Sequence, residues 1–98
     1  MNQAAIKALA PGRVGVQGVL TFYSVPAALR DSLAMFAEGD SLEVDLSGVT
    51  RSDSAGIALA LEWTRMARQR NMTLRFVNVP SQMQSLAQVG GVDQLLAW

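Results

Sequence analysis

Asp45, Ser47, Ser52, Asp53 and Ser54 crowd into the stretch DLSGVTRSDSAG, residues 45–56. Serines beside carboxylates can do several kinds of chemistry, and each kind needs further partners. A nucleophilic serine needs a base, and the chain has no histidine and no cysteine. Lys7 is its one lysine, in an expected edge strand, and the G-x-S-x-G elbow is missing. Asp45 and Asp53 offer oxygen ligands suited to Mg²⁺, but two loop carboxylates more often cap or face water. A carboxylate pair for glycoside cleavage needs a substrate groove, for which 98 residues leave little room. No G-x-x-x-x-G-K-[ST] cradle is present, and Gly15 and Gly18 lack dinucleotide-binding spacing. The stretch therefore predicts no catalytic residue, no cofactor and no metal, and the chain reads as a non-enzyme.

Two readings of Ser54 remain open. As an N-cap it would accept from free N–H groups of the first helical turn, worth about 1 kcal/mol. Asp53 just ahead would complement the helix dipole. As a switch, Ser54 would be exposed where a phosphate meets unpaired N–H donors. Phosphorylation would add roughly −1.5 to −2 charges beside Asp53. The residues alone favour the cap.

These residues must be positioned by a strand before them and a helix after them. Leu42, Val44 and Leu46 alternate with Glu43 and Asp45, which predicts a strand over 42–46 with one buried face. A polar loop follows, then a helix over Ser54–Arg70. One side of that helix carries Ile57, Ala58, Leu61 and Thr64, and the polar side carries Glu62, Arg65, Arg68 and Gln69. Upstream, Ile6–Ala10 and Arg13–Thr21 read as strands joined by the Pro11-Gly12 turn. Ser24–Ala37 reads as a helix with Ser24 as cap, Pro26 in its first turn, and Leu29, Leu33 and Phe36 on its inner face. Downstream come a strand over Met72–Val79, a helix over Pro80–Val89 ended by Gly90-Gly91, and a short last element in Val92–Trp98. Asn71 reads as a left-handed helix end. The order implies an α/β domain over 1–98: a mixed, mostly parallel sheet of four to five strands, with helices mainly on one face. Sites in such sheets lie beyond the C-terminal strand ends, where the serine–aspartate stretch is expected.

Bulk composition narrows the partners. Half the residues are hydrophobic, which argues for a folded core. Eight basic residues, seven of them arginine, balance eight acidic ones. A neutral chain is a poor match for a phosphate backbone, so no nucleic-acid partner is expected. No polybasic run or apolar span points to direct membrane insertion. The N-terminus has no signal-peptide pattern, and cysteine is absent; both fit a cytoplasmic address.

Asp45-Leu46-Ser47, followed by Asp53-Ser54-Ala55-Gly56, resembles the STAS domain family, named for sulfate transporters and anti-sigma-factor antagonists. The family pattern is a strand ending in D-L-S, a loop, then D-S-x-G opening a helix. The element order agrees over nearly the whole chain. The resemblance implies two branches. In the antagonists, the serine of this motif is phosphorylated by a serine kinase that is also the anti-sigma factor. In MlaB-like subunits, the domain docks on the cytosolic ATPase of a phospholipid-transport ABC complex with a membrane permease. The corresponding hydroxyl residue there lies at or near the contact. Either way the position is Ser54. The short chain, the Gly18-Val19-Leu20-Thr21-Phe22 turn in place of G-E-L-D, and Ser54-Ala55-Gly56-Ile57-Ala58-Leu59 favour the MlaB-like branch. The expectation is an adaptor, cytoplasmic and peripheral to the inner membrane through its partners. Asp45, Ser47, Asp53, Ala55 and Gly56 would form the motif loop, with Gly56 allowing close approach. Leu59, Trp63 and Met66, spaced i, i+4 and i+7, are the candidate partner face beside Ser54. The alternative for that stripe is core.

Overall fold

The computed structural model describes residues 3–37, 39–96 and 98. Strand β1 (Ala4–Ala10) turns through Pro11 and Gly12 into β2 (Arg13–Leu20). Gly12, at φ 74°, takes the left-handed backbone the turn requires. The two strands pair antiparallel, with Ala10 opposite Arg13. Helix α1 (Val25–Ser32) tightens into a 3-10 turn over Leu33–Phe36. Strand β3 (Ser41–Ser52), helix α2 (Ser54–Gln69), strand β4 (Thr73–Val77) and helix α3 (Ser81–Val89) follow. A final 3-10 turn spans Asp93–Leu95. Ala97, within the segment expected as a last element, lies outside the described residues. The sheet order is β1-β2-β3-β4, with β2, β3 and β4 parallel.

Register explains the layering. Val14, Val44 and Phe76 are neighbours across three strands, and Leu42 and Leu74 across two. All five are buried, with Val16, Leu20 and Leu46 on the same face. The next register row, Arg13, Glu43 and Arg75, points the other way and meets solvent. One sheet face is therefore covered and the other is open, as the alternation in residues 42–46 predicts.

Helix α2 fills the centre of the covered face. It buries Gly56, Ile57, Leu59, Ala60, Trp63, Thr64, Met66 and Ala67, a wider apolar surface than the sequence reading gave it. Ala58, expected inside, is exposed, and Leu61 is half-buried. Trp63 is 1% exposed, stacked near Phe76 at a ring separation of 6.3 Å. Its indole N–H donates to the Ser32 hydroxyl at 2.7 Å, and that hydroxyl donates to the Leu29 carbonyl at 2.7 Å. A buried indole needs such a partner. With this bond Ser32 faces inward, and the inner face of α1 and the 3-10 turn after it is Ala28, Ser32 and Phe36. Leu33, expected on that face, is 51% exposed because the backbone tightens to 3-10 geometry at its position. Asn71 closes α2 at φ 55°, the left-handed end its sequence position predicts.

Replacing Trp63 by Ala removes a fully buried ring, a change that costs about 3–5 kcal/mol. That is a large share of the roughly 5–15 kcal/mol holding a domain folded. Trp63→Ala is expected to be mostly unfolded in a urea titration. Trp63→Phe, which loses the Ser32 bond but keeps a ring, is expected to remain folded with a lower midpoint.

Candidate functional site

The expected strand–loop–helix around the motif is a strand almost throughout. β3 runs to Ser52, and its second half pairs with Gln17–Leu20 of β2. The register shifts twice, between Gly15 and Gln17 and again between Gly18 and Val19. Each shift leaves an extra residue on β3, so its inward positions become Leu46, Val49 and Ser52. Bulges of this kind break the two-residue period, which is why alternation ends at Leu46 in the sequence. Gly48 sits at the first bulge. A Cβ there would meet the Val16 carbonyl oxygen at 2.8 Å.

The long strand separates residues expected to lie together. Asp45 is mid-strand, opposite Gly15 and Val77. Asp53 follows the strand's end. At about 3.3 Å per residue they stand on the order of 20 Å apart. They do not form a joint carboxylate site. Among the described residues no group of three or more His, Cys, Asp or Glu gathers as a metal site.

Asp45 instead locks the first bulge. Its Oδ1 accepts from the Ser47 amide at 2.9 Å and from Asn78 Nδ2 at 3.2 Å. Arg13 pairs with Glu43 at 2.8 Å and reaches Asp45 at 3.5 Å. The Ser47 amide and hydroxyl, then Asn78, and more weakly the Arg13 charge hold the Asp45 carboxyl below its ordinary range against the opposing effect of burial. Asp45 and Ser47 thus serve the sheet: they tie β3 to β2 and to the end of β4.

At the helix end the cap is Asp53, not Ser54. Asp53 Oδ1 accepts from the Ala55 amide at 2.8 Å, and its carbonyl accepts from the Gly56 amide at 3.0 Å. Ser54 is the first helical residue and is exposed; Ala55 is half-buried. The cap thus engages amides that the phosphate reading of Ser54 takes as free. Gly56 does allow a close approach, but an internal one. A Cβ at 56 would collide with Ser52 Oγ and lie 3.1 Å from the Leu20 Cβ. Ser52 is buried, donates through Oγ to the Asp53 carbonyl at 2.9 Å, and through its amide to Gln82 Oε1 of α3 at 3.1 Å.

A second surface element stands beside this end. Phe22 and Tyr23, in the loop between β2 and α1, are 77% and 78% exposed. Their rings meet edge-to-face at 5.9 Å. The Phe22 amide donates to Asp53 Oδ2 at 3.3 Å. Ser24 occupies the N-cap position of α1 as expected, but its hydroxyl makes no capping bond and wires this loop: it donates to the Val19 carbonyl at 2.6 Å and accepts from the Thr21 amide at 2.9 Å. Sequence reading passed over the aromatic pair. Its signal was there: two large rings between a strand end and a serine, where a turn is ordinarily polar.

The expected partner stripe is corrected. Leu59, Trp63 and Met66 are 1%, 1% and 5% exposed and belong to the core. Helical phase explains it. At about 100° per residue, Trp63 lies about 180° from Ser54, Leu59 about 140° and Met66 about 120°. The face that Ser54 shares is Ala58, Leu61 and Arg65, which are exposed, half-buried and exposed. Arg65 is ion-paired with Glu62 one turn back, which lowers the Glu62 carboxyl pKa.

Comparison with known proteins agrees with this architecture. The family model described as "Mlab, STAS domain" matches residues 5–97. This chain belongs to the MlaB-like STAS domains. Its fold superposes on the anti-sigma factor antagonist SpoIIAA in its unphosphorylated form with a TM-score of 0.71 and 15% identity, covering 93% of this chain and 83% of that one. The Bacillus cell-fate determinant SpoIIAA in its phosphorylated form gives 0.69 and 15%, covering 93% and 86%. SLC26A9 gives 0.71 and 17%, covering 85% of this chain but 16% of that one. Comparison with curated proteins found no match.

In this STAS domain the motif divides its labour. D-L-S secures a bulge, Asp53 caps, Gly56 packs, and Ser54 is presented outward. Removing the cap with Asp53→Ala is expected to cost about 1–2 kcal/mol, whereas Ser54→Ala, which touches no cap, is expected within about 0.5 kcal/mol of the parent. Parallel denaturant titrations check the contrast; a larger loss at Ser54 would return the cap to it.

Asp45 supplies a pH signature. Its folded pKa lies below its unfolded value near 3.9. The stability it adds is present above about pH 4 and is lost as pH falls through the folded value. The melting-temperature advantage of the parent over Asp45→Asn is therefore expected to be constant from about pH 5 to 7. It is expected to close progressively below about pH 4.

Proposed function

We propose that this STAS domain is a non-catalytic adaptor that docks on the cytosolic ATPase of a phospholipid-transport ABC complex and supports its assembly and activity. The contact is centred on Ser54. The observation that carries the reading is the surface at the start of α2: an exposed Ser54 directly after Asp53, whose carboxylate bonds the amide of a loop carrying two aromatic rings, each more than three-quarters exposed. Aromatic side chains presented to solvent next to a polar tip suit a protein interface. The family description points to the same branch. The domain reaches the inner membrane through its partners, on the cytoplasmic side. Among the described residues no helix is long and apolar enough to cross a membrane itself.

One observation favours a second reading, an anti-sigma-factor antagonist switched by phosphorylation of Ser54. The hydroxyl is accessible to a kinase, and the fold resembles an antagonist seen with and without phosphate. Asp53 does not separate the two readings, because the D-S-x-G pattern places an aspartate directly before the serine in both branches.

Affinity purification of the tagged domain from gently solubilised native cells separates the two. An ABC ATPase arriving with its permease supports the adaptor; a serine kinase in its place overturns it. With the purified ATPase, Ser54→Glu is expected to weaken binding by about tenfold, about 1.4 kcal/mol, with little change in melting temperature. Equal affinity of the parent and Ser54→Glu would remove Ser54 from the contact.

A further inference from the structure

The loop carrying Phe22 and Tyr23 and the helix start carrying Ser54 belong to different crossovers of the fold, separated in sequence by more than thirty residues. One side chain joins them. Asp53 Oδ1 holds the Ala55 amide of α2 at 2.8 Å, and Oδ2 holds the Phe22 amide at 3.3 Å. The Asp53 amide in turn donates to the Leu20 carbonyl at 3.0 Å, so the residue is anchored to the end of β2 before its side chain divides. The loop's other bonds run within it or to its own flanking elements: the Ser24 hydroxyl donates to the Val19 carbonyl of β2 at 2.6 Å, and the Val25 amide of α1 donates to the Thr21 carbonyl at 2.9 Å. The Tyr23 amide donates to Thr21 Oγ1 at 3.2 Å, and Thr21 and Ser24 bond each other.

We infer that Asp53 is a positioning residue: its carboxylate clamps the Phe22–Tyr23 loop to the start of α2, so that the aromatic pair and Ser54 form one pre-assembled surface. An ordered surface binds with less ordering cost than one that must first assemble. The role asks for two acceptor oxygens on one short side chain. Serine and threonine would cap equally well but have one oxygen, and asparagine has one acceptor and one donor. That requirement is separate from capping, which all four residue types satisfy. The binding consequence rests on the adaptor reading; the clamp itself does not.

Asp53→Asn tests it with least disturbance. The amide oxygen still caps Ala55, and the NH₂ group then faces the Phe22 N–H, donor against donor. Backbone ¹⁵N relaxation of the parent is expected to give order parameters near 0.85 at Phe22, Tyr23 and Ala55. In Asp53→Asn, Ala55 is expected to stay there, while Phe22 and Tyr23 fall below about 0.6. Unchanged values at Phe22 and Tyr23 would overturn the clamp. Affinity for the purified ATPase is expected to fall about fivefold in Asp53→Asn. It is expected to fall at least as far in the double variant Phe22→Ala/Tyr23→Ala, whose melting temperature should stay near the parent's. Adding Asp53→Asn to the double variant should cost little more, because the clamp then has nothing to present. Full additivity would mean that Asp53 acts on binding by another route. If the parent domain does not bind the ATPase at all, the adaptor reading fails, and the relaxation data still decide the clamp.

Discussion

No atom larger than hydrogen fits at position 56 without displacing Ser52 or Leu20. The start of α2 is thus pressed against the ends of β2 and β3, and the rest of the site follows from that seating. Helical geometry then assigns each residue its side. Trp63, half a turn out of phase with Ser54, goes into the core and meets Ser32 and Phe76. Ser54 goes to solvent. Asp53, one residue before the helix, is left where its carboxylate can reach the first turn on one side and the neighbouring loop on the other.

The D-L-S and D-S-x-G segments solve two different mechanical problems. β3 carries two more residues than the stretch of β2 it pairs with, and the surplus must be absorbed without losing the sheet. Asp45 absorbs the first by bonding the Ser47 amide, while Gly48 lets the backbones approach. Its partners Arg13 and Asn78 spread the lock over three strands on the open face. None of this brings a reactive group near Ser54. The first segment shapes the strand, and the second shapes the surface that the strand delivers.

Much of this was legible in residue order. Alternation in 42–46 and the Pro11-Gly12 turn carried the mixed sheet and its single covered face, and the resemblance of two short motifs carried the family. The extent of β3 was not legible, because its bulges convert a period of two into a period of three at Leu46, Val49 and Ser52, and period is what strand recognition rests on. The cap was misassigned by one residue. Asp and Ser are nearly equal N-caps, so only the backbone could place α2's first residue at Ser54. The partner stripe failed for a different reason. Its i, i+4, i+7 spacing marks a common face but not which way that face points. Counting phase from Ser54 would have placed it inside.

Why a loop with two exposed aromatic rings should be tied down at all is the remaining physical question. Left to itself, such a loop would fold its rings onto whatever apolar surface lay nearest, because burying each ring is favourable by roughly 25 cal/mol per Å². The bonds of Thr21 and Ser24 shape the turn and tie it to β2, but none of them reaches the start of α2. The bond from Phe22 to Asp53 does, at the cost of leaving apolar surface in water. A domain gains nothing in its own stability from that arrangement. The exposure becomes favourable only when something else covers the rings, and the same carboxylate that holds them also fixes where Ser54 will stand when it does.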